Sequence, residues 1–235
     1  MMVNRKLRLG VMNGAAIFVL CGPFAMHGAG ALAATPYLSA ASPSDIDATN
    51  SRLLAAAEPF EALTEMAFLA GGSRLDSLVE AADHAAQGSR DLLPMPLNAQ
   101  LDARLAEIHA ARKSDDKAGV ALSSIEAYRV LVSAAPPGKV PTAVNLMDYA
   151  GFRYDADFRA KPIRWPDMKA AAAFAREQWN SISPNVVDRP LTQRVQAALN
   201  DMTSGADQKN VFRARRSVTA ELELVDELET YFSKR

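Results

Sequence analysis

The sequence predicts an all-α protein: a helical bundle of two related three-helix units, with an N-terminal helix and an aromatic-rich connector. Three observations predict it. Apolar residues recur at three- and four-residue steps almost throughout, and no long stretch alternates as a half-buried strand does. Pro and Gly fall mostly between the periodic stretches, where they act as breaks. A gapless shift of about 94 residues lays the second half of the chain on the first.

The chain opens with a leader pattern. Arg5, Lys6 and Arg8 form a positive region, Val11 to Met26 is mostly apolar, and Ala31-Leu32-Ala33 fits a small-residue cleavage site. The apolar run is interrupted by Asn13-Gly14 and Gly22-Pro23, short of the roughly 20 residues a spanning helix needs. Cys21 follows Leu20 and not a small residue, which argues against lipidation. The expectation is export to the periplasm, with residues 1–33 removed and no stable membrane anchor left. Units are then expected over 34–134 and 167–235, joined by the connector 135–166. Losing Arg5, Lys6 and Arg8 from 26 Lys+Arg leaves 23 against 27 Asp+Glu, a net charge of −4. Mild acidity argues against nucleic acid as the partner, because phosphate binding needs concentrated basic surface. Arg213, Arg215 and Arg216 are the tightest basic cluster and read as a solvated helix face. With its one cysteine in the leader, the processed chain has no disulfide, thiolate metal site or cysteine nucleophile.

The elements follow in order. Ser44 with Asp47 resembles a capping box opening a helix that carries Ile46, Leu53, Ala57 and Phe60. Pro59 is expected to kink or divide it, and Gly71-Gly72 to end it. Helices are expected near 74–87, 97–113 and 117–134, with Pro94 and Pro96 separating the first two and 113–116 forming the next turn. Pro141 to Ala150 reads as a short helix. Met168, Ala172, Ala175, Trp179 and Ile182 form a stripe that stops before Pro184; Leu191, Val195, Leu199 and Met202 form another behind Pro190. Val211, Ala214, Val218, Leu222, Val225, Leu228 and Phe232 define the last helix, started by Asn210 or Gly205. Under the 94-residue shift Pro96 falls on Pro190, Leu101 on Val195, Leu105 on Leu199 and Ile108 on Met202.

The connector has no clear counterpart under that shift and gathers an unusual share of the aromatics. Tyr149, Phe152, Tyr154 and Trp165, with Phe158, lie among Asp148, Arg153, Asp155, Asp157 and Arg159. Long connections inside compact domains are often functional. These rings either glue the halves together or line a cleft between them, in which the charged residues would make the polar contacts. The residues Asp148, Tyr149, Phe152, Arg153, Tyr154, Asp155, Asp157 and Trp165 are therefore the candidate site for a small ligand or a periplasmic protein partner.

A second candidate is a metal or haem carrier. Asp76, Glu80 and His84 stand at four-residue steps, and His109 lies next to an apolar stripe, so oxygen and imidazole ligands are on hand. The trio falls mostly off its helix's core stripe, which favours a solvated charged face. No cofactor is evident: E-x-x-H pairs, H-E-x-x-H, a glycine-rich phosphate loop and G-x-S-x-G are missing, and the remaining methionines are scattered. Helical hairpins with short polar turns resemble the four-helix b-type cytochromes of the periplasm, in periodicity alone. The chain lacks that family's terminal Met and His placement, so no residue role carries over. The sequence thus points to an exported, non-enzymatic binding or accessory protein, with a metal or haem carrier as the alternative.

Overall fold

The computed structural model describes residues 42–235; the expected leader, its cleavage site and Cys21 lie outside them. Among the described residues there are eight α-helices and no strand. They are α1 (Pro43–Met66), α2 (Gly72–Ser89), α3 (Met95–Lys113), α4 (Lys117–Ala134), α5 (Thr142–Arg159), α6 (Trp165–Ile182), α7 (Arg189–Asp207) and α8 (Val211–Ser233). Short 3-10 turns follow α2 and α6.

Local chemistry sets most boundaries. The capping box lies two residues before the expected one: the Ser42 hydroxyl accepts from the Asp45 backbone N–H, and the Asp45 carboxylate accepts from Ser42 N–H. Pro43 then takes the first helical position, where a missing N–H costs nothing. Pro59 does not divide α1, which continues to Met66 with Ala57, Phe60 and Leu63 buried on either side of it. The short helix expected from Pro141 runs on to Arg159. Asn210, and not Gly205, starts α8; Gly205 is inside α7.

The first four helices close into one bundle, in which α1 packs on α2 and α4, and α3 on α2 and α4. The last four close likewise, with α5 on α6 and α8, and α7 on α6 and α8. The segment read as a connector thus supplies a core helix of the second bundle. The bundles meet chiefly through α4 and α5, and one continuous apolar core runs through both.

Several helix bounds and turn residues lie 94 residues apart. α3 and α7 start and end 94 residues apart, and so do the starts of α4 and α8. Asp115 (φ 56°) and Lys209 (φ 51°) hold the left-handed conformation at the corresponding turns. There Asp116 N–H donates to Ala111 O and Asn210 N–H to Gly205 O, both at 2.8 Å, the long-range bond of a Schellman turn. Asp116 and Asn210 then cap the next helix through the N–H of Gly119 and Arg213. α5 stands in the place of α1: Met147 matches Leu53 and Tyr154 matches Phe60, all four fully buried.

Candidate functional site

α5 is the helix shared by the two bundles, and this decides where the candidate residues go. Tyr149, Arg153 and Asp157 stand at i, i+4 and i+8, so they line one face of it. Across from them on α4 is Glu126, itself buried. Tyr149 donates its hydroxyl hydrogen to Glu126 Oε1 at 2.8 Å, and Arg153 Nη1 donates to the same oxygen. Arg153 Nε donates to Asp157 Oδ2 at 3.1 Å. Arg164, in the α5–α6 turn, lies 3.4 Å from Asp157 Oδ1 and donates to Asp167 at 2.8 Å. Arg129 pairs with Glu126 Oε2 at 2.8 Å and stacks 5.3 Å from the centre of the Tyr149 ring, whose edge meets Phe174. The result is a ladder of alternating charge, Arg129–Glu126–Arg153–Asp157–Arg164–Asp167. It runs along the α4–α5 seam and ends at the start of α6.

Burial tunes this ladder. Asp157 is 0% exposed, and loss of water pushes its carboxyl up to about 6, against the opposing pull of Arg153 and Arg164. Burial likewise pushes the Tyr149 hydroxyl up to about 12, with Glu126 adding to the shift. For Arg153 burial acts downward, but the Asp157 and Glu126 carboxylates outweigh it and hold the guanidinium above its ordinary value. The seam therefore contains three cations and three carboxylates, one of which burial holds up to about 6.

The other candidates do not join this group. Asp148 is buried and accepts from the Tyr128 hydroxyl at 3.4 Å; burial, then Asp148, Glu61 and Glu229, raise that phenol well above its ordinary value. Tyr154 is fully buried in the second bundle and donates to the Met202 carbonyl at 2.9 Å. Phe152 is buried in the core, and Trp165 packs half-buried on it. Asp155 pairs with Arg159 at 2.7 Å, and burial raises its carboxyl against that partner. Arg159 also stacks over Phe68 in the α1–α2 turn, at 5.4 Å, tying together one end of both bundles.

Among the described residues, two of the surface cavities measure about 560 and 510 Å³. The first is lined by α7 and the end of α8, including Asp188, Glu227 and Tyr231; the second lies between α6 and α7, at Lys169, Arg176 and Asp207. No candidate connector residue lines either one.

The carboxylate–histidine set is spread over exposed helix faces. Asp76 accepts from Arg112 Nε at 2.7 Å, His109 Nε2 lies 3.0 Å from Asp83 Oδ1, and Glu80 and His84 are exposed. Among the described residues no three His, Cys, Asp or Glu side chains converge on a point that could hold a metal ion. None of the described helices is long and apolar enough to cross a membrane.

Sequence reasoning missed Glu126, Arg129 and Arg164. Glu126 had a legible signal: it is a lone charge inside the apolar run Ile125-Glu126-Ala127-Tyr128, on a helix buried on most of its faces. No protein-family model matches the chain, and no match was found among curated proteins or solved structures.

Proposed function

We propose that this chain is an exported periplasmic accessory protein that binds a protein partner, without catalysis of its own, at the seam between its two bundles. The leader pattern at residues 1–33 supports export. One observation carries the choice of site: the charge ladder is buried in the middle but surfaces at its ends. Arg129 is 46% exposed and Arg164 41%, with Asp167 beside it. A partner presenting a carboxylate or guanidinium can exchange pairs at those ends, whereas buried Tyr149 and Asp157 keep the seam in register. Charged rims of this kind guide encounter and fix orientation more than they add affinity. The matched turns and helix ends support descent of both bundles from one unit.

The test uses surface positions, because Tyr154 is so deeply packed that Tyr154→Ala would report on folding. A photo-reactive residue at position 164 of the exported chain should give a discrete covalent adduct in cells. The same group at position 104, on α3, should give none. Adducts at 104 but not at 164, or none at 164 in cells that make and export the chain, would overturn the reading.

A further inference from the structure

The two matched helix turns differ sharply in what they show to solvent. In the second bundle α8 begins with Val211 and Phe212, which are 51% and 76% exposed. In the first, the matched positions are Lys117 and Ala118. The backbone is the same in both: a left-handed residue, a Schellman bond and a side-chain cap. The turn therefore has no structural need for an apolar pair, yet that pair stands exposed at the bundle end.

The surrounding charge differs as well. Lys209, Arg213, Arg215 and Arg216 flank the pair, against Asp201, Asp207 and Asp155, the last of which lies within reach of Arg215. Asp201 is engaged by Arg216 at 3.3 Å and by Arg213 at 3.9 Å, and Asp207 pairs with Lys169 at 2.8 Å. Cations thus exceed carboxylates at this tip, on a processed chain whose expected net charge is negative. In the first bundle Asp115 and Asp116 balance Lys113 and Lys117.

We propose that the α7–α8 turn docks on an anionic phospholipid surface, with Val211 and Phe212 entering the acyl boundary and the flanking cations meeting the headgroups. An aromatic and a branched aliphatic side chain ringed by Lys and Arg is the composition that interfacial contact selects. Each cation adds attraction that decays within a Debye length, so the contact is reversible and salt-sensitive.

The experiment places an environment-sensitive fluorophore on a single cysteine in the full chain carrying Cys21→Ser. One version has Phe212→Cys; the other has Ala118→Cys at the matched turn. Each is mixed with vesicles of phosphatidylcholine alone or with an equal part of phosphatidylglycerol. The expected result is a blue shift with a several-fold rise in emission at 212, only with phosphatidylglycerol, abolished by high salt and by Lys209→Glu/Arg215→Glu. Silence at 212 would overturn the proposal and leave the tip to an acidic protein partner. An equal response at 118, or an equal response with neutral vesicles, would overturn it too. Failure here leaves the seam reading standing, since that test concerns position 164.

Discussion

α1 and α5 occupy the same place in their bundles but not the same environment. α1 packs on two helices of its own bundle, α2 and α4, and only grazes α5 across the seam; α5 packs on α6 and α8 and also extensively on α4 across the seam. The matched residues record the difference. Leu63 of α1 is apolar and fully buried; Asp157, in the same position on α5, is equally buried but held by Arg153 and Arg164. Ala55 matches Tyr149, whose hydroxyl is used by Glu126. One helical frame thus tolerates either an apolar core position or a buried ion pair, provided every charge in the pair is answered. The general cost of such pairs suggests that the ladder specifies register at the seam more than it adds stability.

The sharpest way to break the comparison is Arg153→Met. At about pH 8 it leaves the fully buried, ionised Asp157 with only the 3.4 Å contact to Arg164, and the expected loss is about 3–5 kcal/mol. The double change Arg153→Met/Asp157→Leu writes the residue of position 63 into position 157 and should recover most of that loss; the shortfall falls on buried Glu126, which keeps Tyr149 and Arg129 but loses Arg153. Urea unfolding of the three proteins decides this; a double variant as weak as the single one would show that the ladder is a net source of stability.

The pH dependence tests the same position more gently. Burial raises the Asp157 carboxyl from 3.8 to about 6, so the folded state holds this proton more tightly than the unfolded chain does. Its contribution to stability is complete below about pH 4 and is lost as pH rises through 6, about 2–3 kcal/mol in all. Thermal unfolding across this window should show the decline in the parent, and Asp157→Asn should flatten it. An unchanged slope in Asp157→Asn would assign the titration to another group.

A third contrast lies where helices cross. Gly205 on α7 faces the backbone of Ala214 on α8, and a Cβ placed there would sit 2.8 Å from the Ala214 nitrogen. In the first bundle the small partner is on the other helix: Ala111 faces Gly119, where an added Cβ would lie 2.9 Å from the Ala111 methyl. Backbone cannot swing aside as a side-chain tip can, so Gly205→Ala should cost about 2 kcal/mol. Circular-dichroism melts report it, and a neutral outcome would mean that α7 and α8 can slide apart freely.

These contrasts also show what was legible in the sequence. The helical class followed from periodicity, and the 94-residue offset was visible in the α3/α7 pair because Pro96, Leu101 and Ile108 have apolar or identical matches. The counterpart of α1 stayed hidden because its matches cross the polar boundary: Leu54 to Asp148, Ala55 to Tyr149 and Leu63 to Asp157. Polar residues there read as the contacts of a cleft, and the segment read as a connector. The three-dimensional packing shows that they are buried and answered, Asp148 and Tyr149 by Tyr128 and Glu126 of α4, and Asp157 by Arg153 and Arg164. Three of the eight site candidates came together for an ordinary helical reason, the four-residue spacing of Tyr149, Arg153 and Asp157. The partner that organises them, Glu126, lies 23 residues earlier in the chain than Tyr149, beyond the reach of local pattern.

The smallest expected effect concerns the matched turns and has the opposite sign. Asp115 and Lys209 both adopt positive φ, a conformation that L side chains disfavour and glycine accepts. Neither side chain is needed to close the turn, whose bonds run through the backbone of Ala111 and Asp116 or of Gly205 and Asn210. Asp115→Gly and Lys209→Gly should therefore each stabilise by about 0.5 kcal/mol, the relief of strain being partly offset by the wider freedom of glycine in the unfolded chain. The two gains should be equal if the turns are equivalent in energy as they are in geometry. Lys209→Gly also removes one cation from the apolar tip. A gain in stability together with weaker vesicle contact, seen at position 209 and not at 115, would separate what the turn needs to fold from what its surface does.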